Sequence, residues 1–154
     1  MKKMIILILI VFLISGCDSS ILVGLDLPEE LVSEGDIAGN VKLDITEENS
    51  ISREFGSISG NPEINIKTEK TNADIHLHFK GKISGNPTID IKAEKGDIYV
   101  RFEESIMGAS KINIESNYGN VIFVNEKSTI EEFKKTIDFD VRAGGEIKYK
   151  NPPL

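Results

Sequence analysis

The chain has 154 residues, of which 40% are hydrophobic, and 25 acidic against 18 basic side chains give a net charge of −7. That is one domain of ordinary size, long enough for a real core, and an acidic chain without a basic cluster argues against nucleic acid as a partner. One cysteine, Cys17, excludes an internal disulfide, and two histidines leave few acid–base groups at neutral pH.

Lys2 and Lys3 precede an apolar run from Met4 to Ile14, followed by Ser15, Gly16 and Cys17. A basic start, a short apolar segment and a small-residue cleavage site make a secretory signal. The run is too short for a spanning helix, which needs about 20 apolar residues, and Asp18 follows at once. Ile14-Ser15-Gly16-Cys17 resembles the bacterial lipobox. The resemblance implies removal of residues 1–16, acylation of Cys17 and anchoring outside the cytoplasmic membrane. It implies two or three acyl chains, enough for a stable anchor. Cleavage removes Lys2 and Lys3 and moves the net charge from −7 to −9 over residues 17–154. With Cys17 acylated, no thiol remains as nucleophile or metal ligand. Asp18 is similar to the inner-membrane retention signal of enteric bacteria.

Residues 17–36 are expected to be the lipidated N-terminus, tether and cap. Ile21, Leu22, Val23, Leu25 and Leu27 are too apolar for a purely flexible linker, so part of this stretch is expected to pack. Leu27-Pro28-Glu29-Glu30-Leu31-Val32 reads as a short helical turn, with Pro near its start and acids in the first turn. Leu27, Leu31 and Val32 would cover the open end of the downstream β domain.

Residues 37–154 contain a repeat. Ile58-Ser59-Gly60-Asn61-Pro62 recurs as Ile83-Ser84-Gly85-Asn86-Pro87, and Glu63-Ile64-Asn65-Ile66-Lys67 aligns with Thr88-Ile89-Asp90-Ile91-Lys92. Asp74-Ile75-His76-Leu77-His78-Phe79 aligns with Asp97-Ile98-Tyr99-Val100-Arg101-Phe102. Weaker copies start at Ile37, Ile106 and Ile130, so the starts are spaced 21, 25, 23 and 24 residues apart. Period-two alternation rich in Ile and Val gives two short strands per copy. Gly-Asn-Pro marks one turn, and Gly96, Gly119 and Gly144 mark a second.

The fold class is therefore all-β. The fixed period favours a small parallel β-solenoid of about five repeats. Ile64, Ile89 and Ile112 would form one internal ladder, and Phe55, Phe79 and Phe102 another. Short turns around Gly96 and Gly144 leave open an antiparallel sandwich of hairpins. Ser128-Thr129-Ile130-Glu131 resembles a capping box opening a short helix before the last strands.

His76 and His78 lie two apart on one strand, about 6–7 Å from each other on one face. Such a pair suits zinc or copper, but their repeat equivalents, Tyr99 and Arg101, supply no ligand and repel a cation. They are expected to sit on a solvated strand face. Asp138 and Asp140 share a face without the glycine-rich repeat of a calcium site, so no metal site is expected. Gly56-Ser57-Ile58-Ser59-Gly60 has isoleucine where a nucleophile elbow needs serine, and no phosphate loop occurs. No catalytic residue and no cofactor are expected.

Ala143-Gly144-Gly145-Glu146-Ile147-Lys148-Tyr149-Lys150-Asn151-Pro152 is similar to the ending of the auto-transporter adhesin head, or head GIN, domain family. Lys150 departs where that family favours glycine, and its paired Gly-x-Gly turns are mostly single glycines here. Over residues 37–153 the resemblance implies a β-helical surface or periplasmic module with binding roles, and it supplies no site residues. The expected protein is thus a lipid-anchored extracytoplasmic lipoprotein with a non-catalytic binding or scaffolding module. Its partners would be the membrane, through Cys17, and an envelope protein or glycan. The alternatives are a glycan-acting envelope enzyme and a subunit of an envelope complex.

Overall fold

The computed structural model describes residues 31–150. The signal, Cys17, Asp18 and most of the expected N-terminal turn lie outside the described residues. Eleven strands and one helix run in chain order: β1 Val32–Gly39, β2 Lys42–Glu47, β3 Ile51–Gly60, β4 Glu63–Thr68, β5 Ile75–Phe79, β6 Thr88–Ala93, β7 Ile98–Phe102, β8 Lys111–Ser116, β9 Val121–Asn125, α1 Ile130–Thr136, β10 Asp138–Ala143 and β11 Ile147–Lys150. Val32, expected in a helical turn, opens β1 instead and is exposed.

Odd strands β1 to β9, with β11, form one sheet in the order β1-β3-β5-β7-β9-β11, and β10-β8-β6-β4-β2 form the other. Every pairing is parallel. The chain is a two-sheet parallel β-solenoid of about five turns, and the hairpin alternative does not occur. We call the six-stranded layer the A sheet and the five-stranded layer the B sheet.

Alternation drives this arrangement. In each B-sheet strand the second and fourth residues point inward, and one face of a strand is buried at every second residue. Ile64, Ile89 and Ile112 stand in register and are fully buried. Ile66, Ile91 and Ile114 form the neighbouring file. On the A sheet, Phe55, Phe79 and Phe102 are in register, with ring centroids 4.9 and 4.7 Å apart and nearly parallel planes. Stacked aromatics at this spacing add to the area they bury.

This phenylalanine file ends at Asn125, which faces Phe102, because Phe123 stands in register with Val100. Asn125 is buried; its amide donates to Ser128 Oγ and its carbonyl accepts from the Lys127 amide. Phe133, from α1, brings its ring centroid 5.8 Å from that of Phe102 and supplies the missing aromatic. The helix occupies the corner where a fifth copy was expected to begin. Its capping box lies one residue later than the sequence suggested: Thr129 is the N-cap and Glu132 completes the box.

Both corners are built from small residues. Gly39, Gly60, Gly85 and Gly108 all have φ between +85° and +93°, the left-handed region that glycine enters freely. Gly39, Gly60 and Gly85 are linked upward, with the Asn61 and Asn86 amides donating to the Gly39 and Gly60 carbonyls. Beside them the Asn86 side-chain amide donates to Asn61 Oδ1, and that of Asn61 donates to Asn40 Oδ1. At the opposite corner, Asp74 and Asp97 side chains accept from the Asp97 and Asn120 backbone amides, and Asn120 accepts from Glu146. Each coil thus satisfies the turn amides of the next.

Among the described A-sheet strands, one inward position carries a charge. Arg53 shares the file of Leu77, Val100, Phe123 and Tyr149. Its side chain is largely buried, with Nε 2.9 Å from Glu34 Oε1 and Nη2 paired with Glu47. Pairing with two carboxylates offsets the desolvation of a charge at the end of the core.

Candidate binding face

The two outer faces differ in chemistry. On the B sheet, the central outward file reads Asp44, Asn65, Asp90, Asn113, Asp140. The Asn65 amide donates to Asp44 at 2.7 Å, and Asn113 donates to Asp90. Within this file alternation keeps carboxylates two strands apart, about 9.6 Å, so no two carboxylates are directly opposite. Lysines, glutamates and Arg142 flank this file, including Lys42 with Glu63 and Lys92 with Glu115. Asp138 and Asp140 are both exposed here, and Asp140 pairs with Arg142 at 2.7 Å. This is a solvated, internally neutralised surface.

The A sheet carries two outward files of another kind: Ser52, His76, Tyr99, Ile122, Lys148 and Glu54, His78, Arg101, Val124, Lys150. The parallel register places His76 beside Tyr99, with ring centroids 6.2 Å apart, and His78 beside Arg101. These outward side chains are not freely solvated as the sequence led us to expect. Tyr99 is 8% exposed and His78 9%. His76 is half-buried.

Long neighbours explain His78. Its Nε2 lies 2.8 Å from Glu103 Oε1, without hydrogen-bond alignment, and its Nδ1 lies 3.9 Å from Glu54 Oε2. Lys80 reaches Glu54 at 2.8 Å. Arg101 Nε donates to Glu126 at 2.7 Å, its Nη2 pairs with the same carboxylate, and Glu103 lies 3.6 Å away. The result is a polar band, Lys80–Glu54–His78–Glu103–Arg101–Glu126, in which a carboxylate lies on either side of His78 and of Arg101.

Electrostatics follow burial and partners. Burial pushes the His76 pKa below its ordinary value, against the smaller opposing pull of Asp74 and Asp97. The same desolvation raises the Tyr99 phenol. For Arg101, burial opposes the charge, but the hydrogen bond and charge of Glu126, with Glu103, outweigh it and raise the pKa. The downward shift of His76 reflects a strand face that is less solvated than the sequence implied.

The sequence singled out His76, His78, Tyr99 and Arg101, and the structure brings them together. It missed Glu54, Glu103 and Glu126. Reading one residue past the aromatics Phe79 and Phe102 (Lys80, Glu103) would have found one of them. Among the described residues no group of three or more His, Cys, Asp or Glu is arranged to hold a metal ion. No helix among them is long and apolar enough to cross a membrane.

No family model matches the chain. No curated protein and no solved structure matches it either.

Proposed function

We propose that this protein is a lipid-anchored extracytoplasmic lipoprotein whose solenoid is a non-catalytic binding or scaffolding module of the adhesin-like kind. The observation that carries the binding role is the A-sheet face. Tyr99 and Arg101 at the centre of that face are of types enriched at interface cores, whereas the central file of the B-sheet face is Asp and Asn. A flat face of parallel strands suits an extended or flat partner, an envelope glycan or protein. The lipobox-like Ile14-Ser15-Gly16-Cys17 supports the anchor, and the head GIN-like ending supports the adhesin-like class.

Two measurements test the reading. Metabolic labelling with a lipid precursor should mark the wild-type chain and not Cys17→Ser; label on Cys17→Ser refutes the anchor. Envelope glycan fragments and solubilised envelope proteins should be titrated against residues 18–154, with product analysis. Saturable binding without products, weakened by Arg101→Ala and not by Lys67→Ala, is the expected result. Products would replace it with a glycan-acting enzyme, and binding lost equally in both variants would remove the A-sheet face from the account.

A further inference from the structure

The A-sheet face changes character along the solenoid axis. One outward file carries Glu54 on β3 at the N-terminal end and Lys150 on β11 at the C-terminal end. The other ends on Lys148, and Lys148 and Lys150 are both exposed. Tyr99, Ile122 and Val124 lie between these ends. Just past the strands the sign runs the other way, with Lys80 after β5 and Glu126 after β9. Their amides continue the ladder, donating to Phe55 and Phe102, so both keep the register of the strands.

A face whose charge reverses from end to end is complementary to its own copy turned end for end. A two-fold axis lying along β7 does this: it keeps the strand direction and exchanges the ends of the stack. It sets β3 over β11 of a second copy, and β5 over β9. Glu54 then meets Lys150 of the second copy, Lys80 meets Glu126, and His76 and His78 meet Ile122 and Val124. Tyr99 packs on its counterpart at the axis. Arg101 also meets its counterpart, but each guanidinium is already held by Glu126, with Glu103 3.6 Å away. An axis along the solenoid would instead lay Glu54 on Glu54 and Lys150 on Lys150. The B-sheet face is unsuited to the same operation, which about β6 puts Asp44 on Asp140 and Asp90 on itself.

We infer that the partner of the A-sheet face is a second copy of this chain, packed face to face about a two-fold axis along β7. The assignment rests on the binding role proposed for that face, and names its flat partner. The area sets the strength. Five strand widths, β3 to β11, by the five residues of β7 span roughly 24 by 17 Å, about 400 Å² per copy. A standard interface buries ~800 Å² per partner. The pairing is therefore reversible, with a dissociation constant above about 1 μM.

Sedimentation equilibrium on residues 17–154 carrying Cys17→Ser tests it. The chain should pass from monomer to dimer between roughly 1 μM and 1 mM. Glu54→Lys and Lys150→Glu should each stay monomeric over that range, because each homodimer apposes like charges at both contacts. An equimolar mixture of the two should dimerise again, and so should the double variant, since opposite charges then meet at both contacts. That rescue separates a lost contact from a lost fold. Lys67→Glu, on the B-sheet face, should dimerise like the parent. A parent that stays monomeric throughout overturns the inference; if Arg101→Ala still weakens binding of glycan or envelope protein, the A-sheet face keeps its binding role. A dimer that survives both single variants lies on another surface and overturns the inference. Loss in the single variants without rescue overturns the two-fold register, and the inference with it.

Discussion

Ile89→Ala probes the internal ladder where the structure constrains it most. Ile89 is fully buried, with Ile64 in register below and Ile112 above. The substitution removes three carbons, about 2.4 kcal/mol at ~0.8 kcal/mol per buried methylene. A cavity term adds to this, because both neighbours are held by backbone ladders on either side and cannot close the gap. A loss of about 3–4 kcal/mol is expected, inside the range for such deletions and a large fraction of ordinary domain stability, ~5–15 kcal/mol. Ile147→Ala is the control. Ile147 is 38% exposed on the last strand, and its truncation should cost about 1 kcal/mol or less. Urea unfolding followed by far-ultraviolet circular dichroism suits a chain without tryptophan, and the midpoint should fall at constant slope. Equal losses in the two variants, or a loss under about 1 kcal/mol for Ile89→Ala, would refute the ladder as the source of stability.

Other outcomes rest on the same geometry. Gly85→Ala combines φ of +91° with a Cβ driven into the Gly60 carbonyl; it should lower stability by more than ~1 kcal/mol. Gly35→Ala, at +67° with nothing within 4 Å, should cost less in the same urea unfolding. Phe133→Ala should cost about 3–5 kcal/mol in urea unfolding, since its ring meets Phe102, Phe123 and Phe139; a loss under about 1 kcal/mol would mean that α1 lends nothing to the core. For His76, burial sets the folded pKa below the unfolded value of about 6.5. On acidification the unfolded chain binds the proton first, so this contribution is full above the unfolded pKa and is lost as pH falls through the folded one. His76→Gln should flatten the melting temperature between about pH 7 and pH 5, and a proton-resonance titration of His76 at or above the unperturbed value would contradict it.

The ladders were legible because a parallel solenoid repeats its chemistry coil by coil. Ile64, Ile89 and Ile112 occupy equivalent places in sequence and in space, and Gly-Asn-Pro names the corner twice. Choosing between solenoid and hairpins required the pairing itself: β6 pairs with β4 and β8, never with β7. Where local and long-range registers diverge, the sequence misled. The aromatic file read from the repeat stops at Phe102: Asn125 takes the next place, and Phe133 arrives from a helix. His78 alternates onto an outer face, which from one strand alone means solvent. Glu54 and Glu103, from the coils on either side, enclose it, and their approach depends on a register visible only once the strands are paired. Arg53 sits at an inward position because the end coil lets it reach Glu34 and Glu47.

The parallel ladders also set how the molecule carries load. In both sheets the interstrand hydrogen bonds run along the solenoid axis, one coil to the next, and with a single cysteine in the chain no disulfide can cross-link one coil to another. Tension applied between β1 and β11 therefore loads the coils in series and peels them from an end, a few bonds at a time. Tension applied along a strand must instead shear a whole row together. α1, with Phe133 set into the core beside the last coil, ties neighbouring layers by side-chain insertion rather than by ladder, and so braces the C-terminal end against peeling.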